Sequence, residues 1–193
     1  MTTAAYEALV ARVQACRACP RMEGRRRVLG AANGSLKPKA MLVGTAPGRH
    51  GAERTGIPFS GDRSGEALDA LLERAGLTRA EVFITNAVLC NPQDSHGRND
   101  EPTAAELRAC RSHLRDTIAA VDPPLVVALG HTAYRALKAL DTAPQWQDAL
   151  GRQAQWHGRT LAATYHPGPR VWNQPARRAA LLAQWDALLS PPP

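Results

Sequence analysis

The stretch GTAPGRHGAERTGIPFSGDRSG, residues 44–65, follows the apolar run Ala40-Met41-Leu42-Val43 and leads into a helix-patterned segment from Glu66. Six of its 22 residues are glycine and two are proline. A buried strand, a long glycine-rich loop and then a helix place a ligand site at the carboxyl edge of an α/β sheet. Glycine lets backbone approach a ligand closely, and a loop this long is more often functional than a plain connection. Two side chains in it stand out chemically, the aromatic Phe59 and the carboxylate Asp62.

Working outward, three further apolar runs of strand length follow at residues 82–87, 125–129 and 160–165. Helix-patterned segments lie at residues 6–13, 65–75, 104–121, 132–140 and 176–189. Thr103 followed by Glu106 forms a capping-box signal for the segment at 104–121. Strands alternating with helices predict an α/β fold with a parallel sheet covered on both faces. The expectation is a single-domain α/β/α sandwich around a central four-stranded, mainly parallel sheet. It spans residues 1–193, with 1–39 as a basic N-terminal arm and 190–193 as a tail.

At 193 residues and 44% hydrophobic, the chain is long enough to bury a sizeable core. No apolar run approaches the roughly 18 residues of a membrane span. No charged start precedes an apolar stretch, so a secretory signal is not expected. A prokaryotic cytosol, near the nucleoid, is the expected location, and a monomer the expected state. The net charge of +7 is uneven: residues 1–39 carry eight Lys/Arg against two acids. Arg17, Arg21, Arg25, Arg26 and Arg27 crowd together there, which suits contacts with a phosphate backbone. The bland alternative is a solvated face in an arginine-rich chain, since 21 arginines accompany only three lysines.

Four cysteines are present, Cys16 and Cys19 as a CxxC pair and Cys90 and Cys110 far along the chain. In a reducing compartment a metal site is the better reading than disulfides. Four thiolates suit structural zinc or a 4Fe-4S cluster, and spacing alone does not separate them. Two buried free cysteines beside an unrelated CxxC are the structural alternative. A zinc deaminase is excluded, because Cys16 follows alanine and His50-Gly51-Ala52-Glu53 lacks the HxE spacing. Neither a P-loop nor GxGxxG is present.

Every predicted strand ends in polar or glycine-rich residues: the 44–65 loop, Asn86 with Cys90, Gly130-His131, and His166-Pro167-Gly168. Parallel strands bring these ends to one edge. Phe59 there offers a face for a planar ring, and Asn86 an amide able to read a base edge with donor and acceptor. Asp62 is placed to orient water or stabilise a cation, and His166 to donate to an oxygen gaining charge. Such a set fits a pocket for one everted base. Each also has a structural alternative: Phe59 as core, Asn86 bonding loop backbone, His166 as a packing residue, Asp62 as a helix N-cap.

The segments GTAPG (44–48), GIPFSGDRSG (56–65), ITNAVLC (84–90) and YHPG (165–168), with the four cysteines, resemble the uracil-DNA glycosylase superfamily, in its iron–sulfur branches, families 4 and 5. The resemblance runs from about Cys16 to Arg170. It implies a 4Fe-4S cluster on Cys16, Cys19, Cys90 and Cys110. Family 4 usually carries an acid at the position of Thr45; the family 5 pattern is apolar there and is closely matched by residues 46–65. That branch implies Asp62 as the catalytic carboxylate, whereas Asn86 looks like the uracil-reading asparagine of family 4. Family 5 also implies an asparagine in the polar loop before the helix at 104–121, for which Asn99 is the nearest candidate.

The resemblance implies hydrolysis of the N-glycosidic bond of uracil in DNA, the first step of base excision repair. Asp62 and His166 would be catalytic; Phe59, Asn86, Thr45, Ala46 and Gly61 would surround the base. Arg170, Gly168, Arg25, Arg26 and Arg27 would face DNA. Gly168 replaces the serine of the usual HPS, removing a hydroxyl expected at the backbone phosphate, and the Cys90–Cys110 gap carries extra residues within 93–98. None of the three lysines lies in a motif, so a Schiff-base lyase is not expected. The competing classes are a non-catalytic, metal-cluster protein that binds damaged DNA, for which Thr45 is the best argument, and a nucleotide-binding α/β protein.

Overall fold

All five residues of strand β1 (Ala40–Gly44) are buried, as are all five of β2 (Val82–Asn86) and of β3 (Leu125–Leu129). Strands covered on both faces need apolar side chains on both, which is why these segments read as unbroken runs. The computed structural model describes residues 3–189. In it β1 pairs in parallel with both β2 and β3. A short strand β4 (Ala154–Trp156) runs antiparallel to β5 (Arg159–Thr164), and β5 pairs in parallel with β3. The sheet order is β2-β1-β3-β5-β4.

The helices are α1 (Thr3–Gln14), α2 (Ala52–Thr55), α3 (Arg63–Arg74), α4 (Ala104–Val121), α5 (His131–Lys138), α6 (Trp146–Ala149), α7 (Pro169–Trp172) and α8 (Pro175–Leu189). Side chains alternate across a strand, and the two cores follow that alternation. Met41, Val43, Phe83, Val126 and Ala128 pack with Leu9 and Val13 of α1, Leu114 and Ile118 of α4 and Leu137 of α5. Ala40, Leu42, Ile84, Val127 and Leu129 pack on the other face with Leu68 and Leu71 of α3 and Leu181 and Trp185 of α8. The α/β/α sandwich expected from the alternating pattern is the fold observed.

The sheet has five strands where the sequence predicted four. Strand β4 is only three residues, and one of them, Gln155, is exposed, so it carries no apolar run. Its signal is the two-residue turn His157-Gly158, with φ of 50° and 76°, the geometry of a tight hairpin. One-turn helices α2, α6 and α7 fall in stretches read as loop. The expected tail at 190–193 lies outside the described residues. Among the described residues no helix is long and apolar enough to cross a membrane.

Chain order sets the position of the site. From β1 the chain moves outward to β2, then crosses back over β1 to β3, so direction switches between β1 and β3. A crevice forms outside the carboxyl ends of parallel strands at such a point. The loops after β1, β2, β3 and β5 all open there.

Helix α4 begins with the capping box predicted for it. The Thr103 hydroxyl accepts from the Glu106 amide at 3.2 Å, and Glu106 Oε2 accepts from the Thr103 amide at 2.7 Å. Thr103→Ala should lower stability by about 1 kcal/mol, read as a shift of the urea midpoint with the slope unchanged.

Candidate active site

At the crevice lies a cavity of about 390 Å³ whose walls include Thr45, Ala46, Phe59, Asp62, Asn86, Asn99 and His166. That volume falls within the range of small-molecule sites. Each of the four strand-end loops contributes to it, Gly130 and His131 coming from the third.

Phe59 is 8% exposed and sits at φ 50°, a left-handed backbone conformation costly for a bulky residue and most often kept at functional sites. Its ring lies 5.7 Å from the His166 ring, tilted by 34°. Arg79 holds the segment in place: its guanidinium donates to the Pro58 carbonyl at 2.9 Å and to the Phe59 carbonyl, and its Nε to Asp69 at 2.7 Å. Nothing in the sequence marked Arg79, which lies 20 residues from Phe59 in an exposed polar turn.

Asn86 ends β2 with 1% exposure, and neither its Oδ1 nor its Nδ2 has a hydrogen-bond partner. A buried amide with both ends unmet is costly, of order 1–3 kcal/mol for each group, and this one lines the cavity. A Cβ on Gly44 would stand 2.5 Å from the Phe59 ring and 2.6 Å from Asn86 Oδ1. Glycine at the end of β1 is therefore what lets the ring and the amide meet.

Asp62 is the N-cap of α3, and Oδ1 accepts from the amides of Ser64 at 3.1 Å and Gly65 at 3.0 Å. Its other oxygen, Oδ2, is turned to the loop after β1, where a Cβ on Gly48 or Gly51 would come within 2.6 Å or 2.2 Å of it. One oxygen thus orients the carboxylate while the other reaches the cavity.

His166 follows β5 and is half-buried. Burial pushes its imidazole down to about 4, the Asp62 carboxylate pulling weakly the other way. The ring is neutral near pH 7.

An asparagine network closes the opposite wall. Asn91, 1% exposed, donates from Nδ2 to the Pro47 carbonyl at 2.6 Å and to Asn99 Oδ1 at 3.0 Å, while its Oδ1 accepts from Gln93 Nε2 at 2.6 Å. Asn99 Oδ1 also accepts from the Arg49 amide at 2.8 Å. With its oxygen doubly engaged, Asn99 turns Nδ2 toward Gly48, beside Asp62 Oδ2. Residues 93–99 form a small hairpin, Gln93 bridging Asn99 antiparallel, tied to the first loop by Arg49 donating to the Gly97 carbonyl at 2.6 Å. Asn91 was missed in the sequence, its one signal being its place directly after Cys90.

Gly61 is exposed, at φ 91°, and does not line the cavity; its carbonyl accepts from Arg54. Gly168 lies behind the His166 ring, where a Cβ would come within 2.8 Å of Nδ1. Arg170 is exposed on α7. Arg12, Arg17 and Arg26 of the N-terminal arm are exposed and Arg21, Arg25 and Arg27 half-buried. Arg26 Nε donates to the Glu53 carbonyl at 2.9 Å. Arg27 donates twice to the Cys16 carbonyl, at 3.0 and 2.7 Å, and Arg25 keeps a buried Nε without a partner. Several arm guanidiniums thus cross-link the arm while remaining at the surface.

Cys16, Cys19, Cys90 and Cys110 line one small cavity with apolar Met22, Val88 and Leu89. Burial pushes the Cys90 thiol up to about 11 and the Cys110 thiol up to about 12. Thiols so placed keep their protons until a bound cationic group displaces them into solvent. Among the described residues no group of three or more His, Cys, Asp or Glu is arranged to hold a single metal ion.

Residues 31–189 match the sequence pattern of the uracil DNA glycosylase superfamily. The chain belongs to that superfamily. It is 32% identical to a type-5 uracil-DNA glycosylase of Pyrobaculum aerophilum, covering 85% of this chain and 83% of the relative. It is 38% identical to a type-4 uracil-DNA glycosylase of Thermotoga maritima, covering 84% and 81%. A type-5 uracil-DNA glycosylase of Thermus thermophilus is 33% identical over 83% of this chain and 85% of its own. Type-4 and type-5 enzymes are both among its relatives.

Because the native imidazole binds its proton more weakly than in the unfolded chain, His166 adds a pH dependence of known sign. Its contribution is complete above the unfolded value of about 6.5 and is lost as pH falls from there toward about 4. Urea midpoints of His166→Gln should vary less with pH across that window than those of the parent. Nuclear magnetic resonance should show the His166 ring neutral at pH 6.

Proposed function

We propose that this protein is a monofunctional uracil-DNA glycosylase, hydrolysing the N-glycosidic bond of deoxyuridine to release uracil and leave an abasic site. The observation that carries the reading is Asn86, a buried amide with donor and acceptor both unmet, lining a cavity beside the Phe59 ring. A pyrimidine edge supplies the complementary acceptor and donor, and its face stacks on an aromatic.

The bond breaks with oxocarbenium character, as in other glycosyl transfers. Asp62 Oδ2 stabilises the sugar cation and orients water, with Asn99 Nδ2 beside it as a second contact to that water. His166, neutral because it is buried, donates a hydrogen bond to O2 of the departing uracil without giving up its proton. Backbone at Thr45 and Ala46 walls the base. Arg170 enters the space left by the everted nucleotide, and the loop at Gly168 follows the phosphates. Arg25, Arg26 and Arg27 face DNA, Arg26 being the exposed one of the three.

The donor set of four thiols around one cavity, lined by Met22, Val88 and Leu89 and by Arg27 and Glu106, fits a 4Fe-4S cluster held by Cys16, Cys19, Cys90 and Cys110. When bound, the cluster cross-links the arm to the sheet and supplies no step of the hydrolysis. The enzyme acts as a monomer inside the cell.

A duplex oligonucleotide with one uracil, incubated with the protein and then cleaved with alkali, should yield the shortened strand. Binding to that duplex with no release of uracil would favour the non-catalytic damage-binding reading instead. Asp62→Asn retains the capping oxygen and loses the charge; its rate should fall about 10²–10⁴-fold with stability nearly unchanged. Purified protein should be brown and contain iron, with the colour lost in Cys110→Ser; a colourless protein holding stoichiometric zinc would overturn the cofactor assignment.

A further inference from the structure

The guanidinium of Arg21 uses all five of its N–H donors. Nε and Nη2 fork onto the Glu106 carboxylate at 2.8 and 2.7 Å. Nη1 reaches Asp100 Oδ2 at 2.7 Å and the Gln93 carbonyl at 3.5 Å, and Nη2 also reaches the Glu101 carbonyl at 3.1 Å. These partners fall into two sets with different neighbours. Glu106 lines the cysteine cavity, lies one helical turn before Cys110, and is fixed by the α4 capping box. Gln93, Asp100 and Glu101 belong to the hairpin that frames Asn99.

Arg21 itself sits in the turn Pro20–Met22, which starts at Cys19; the Met22 amide donates to the Cys19 carbonyl at 3.0 Å. The hairpin is therefore gripped at both strands of its base, Gln93 on one and Asp100 on the other, by a residue two positions from a cysteine. Asn99 is the neighbour of Asp100 and partners Gln93 across the bridge. Its amide orientation also depends on Asn91 and, behind that, on Gln93.

We propose that Arg21 is a positioning residue: anchored beside the four cysteines through Glu106, it pins the 93–101 hairpin and so sets the placement of Asn99 at the cavity. The cysteine-bearing arm thereby acts on the pocket through a hydrogen-bonded link, and loss of whatever the cysteines hold loosens the wall on which Asn99 stands. This inference rests on the reading of Asn99 as a contact to the attacking water.

Asp100→Ala cuts the link on the hairpin side and leaves the Arg21–Glu106 fork, so the fold and the visible absorption of the iron–sulfur protein should be kept. Its kcat on uracil-containing duplex should fall about 10-fold or more, as a small misplacement of a catalytic contact costs, with KM changed less than twofold. Amide hydrogen exchange should rise over residues 93–101. Asp100→Asn, which still accepts from Nη1, should restore most of the rate, and Arg21→Lys, a point charge without the fork, should resemble Asp100→Ala.

The deciding measurement is the double variant Asn99→Ala/Asp100→Ala. If Arg21 acts through Asn99, the double variant is no slower than Asn99→Ala alone. Losses that multiply would overturn the link while leaving the pocket reading intact, as would Asp100→Ala at the parent kcat. Asn99→Ala at the parent kcat would overturn the reading of Asn99 itself and the link with it.

Discussion

Where β1 ends, two side chains of the following loop and one from the end of β2 need the space that a Cβ would occupy. Phe59 and Asn86 press on Gly44, and Asp62 presses on Gly48 and Gly51. At the far end of the same loop, a Cβ on Gly65 would collide with the Phe59 carbonyl at 2.4 Å, a backbone atom that cannot step aside. This close approach gives the loop its form. It draws an aromatic face, an amide and a carboxylate to one crevice, and it holds Phe59 in a backbone conformation that an aromatic residue rarely adopts. The surrounding structure must over-determine that conformation for it to persist, and Arg79, reaching two successive carbonyls, is part of how it does so.

Arginine has a second use in this molecule besides charge. Arg21, Arg26, Arg27, Arg49 and Arg79 each donate to backbone carbonyls of segments far away in sequence. Loops carry carbonyls that no ladder or helix satisfies, and a planar fork with five donors meets several at once. An exposed pair of this kind stabilises by about 1 kcal/mol or less, yet several of them fix the relative placement of loops that have little apolar area. The half-buried fork on Glu106 belongs to the costlier class, in which breaking one side leaves a carboxylate in poor solvent. Glu106 is accordingly held well ionised, its carboxyl lowered chiefly by the hydrogen bonds from Arg21.

The two cavities are linked through the same few segments. Helix α4 carries Cys110 on one turn and Glu106 on the turn before; the chain entering α4 is the wall that bears Asn99. Residues 88–91 run from the apolar lining of the cysteine cavity, Val88 and Leu89, through Cys90 to Asn91 in the crevice at the strand ends. The cysteine site is thus continuous with the wall of the crevice and does not sit on a separate lobe.

Local patterns in the sequence sufficed for the layer architecture, because strand and helix periodicity depends only on residues a few positions apart. The apolar runs at β1, β2 and β3, the helix period of α4 and its capping box, and the polar endings of the parallel strands could all be read along the chain. So could the convergence of Asp62, Phe59, Asn86 and His166 on one crevice, since parallel strands carry their ends to one edge. The tertiary structure decided matters that depend on partners remote in sequence. It added β4, whose pairing needs β5 and whose own three residues carry no pattern. It gave arm arginines carbonyl partners, because a guanidinium binds a carbonyl as readily as a phosphate, and composition does not distinguish the two. It left Asn86 unpaired and Asn91 fully paired. Two asparagines five residues apart look alike in a sequence; only the atoms that surround each side chain determine which is free to meet a ligand.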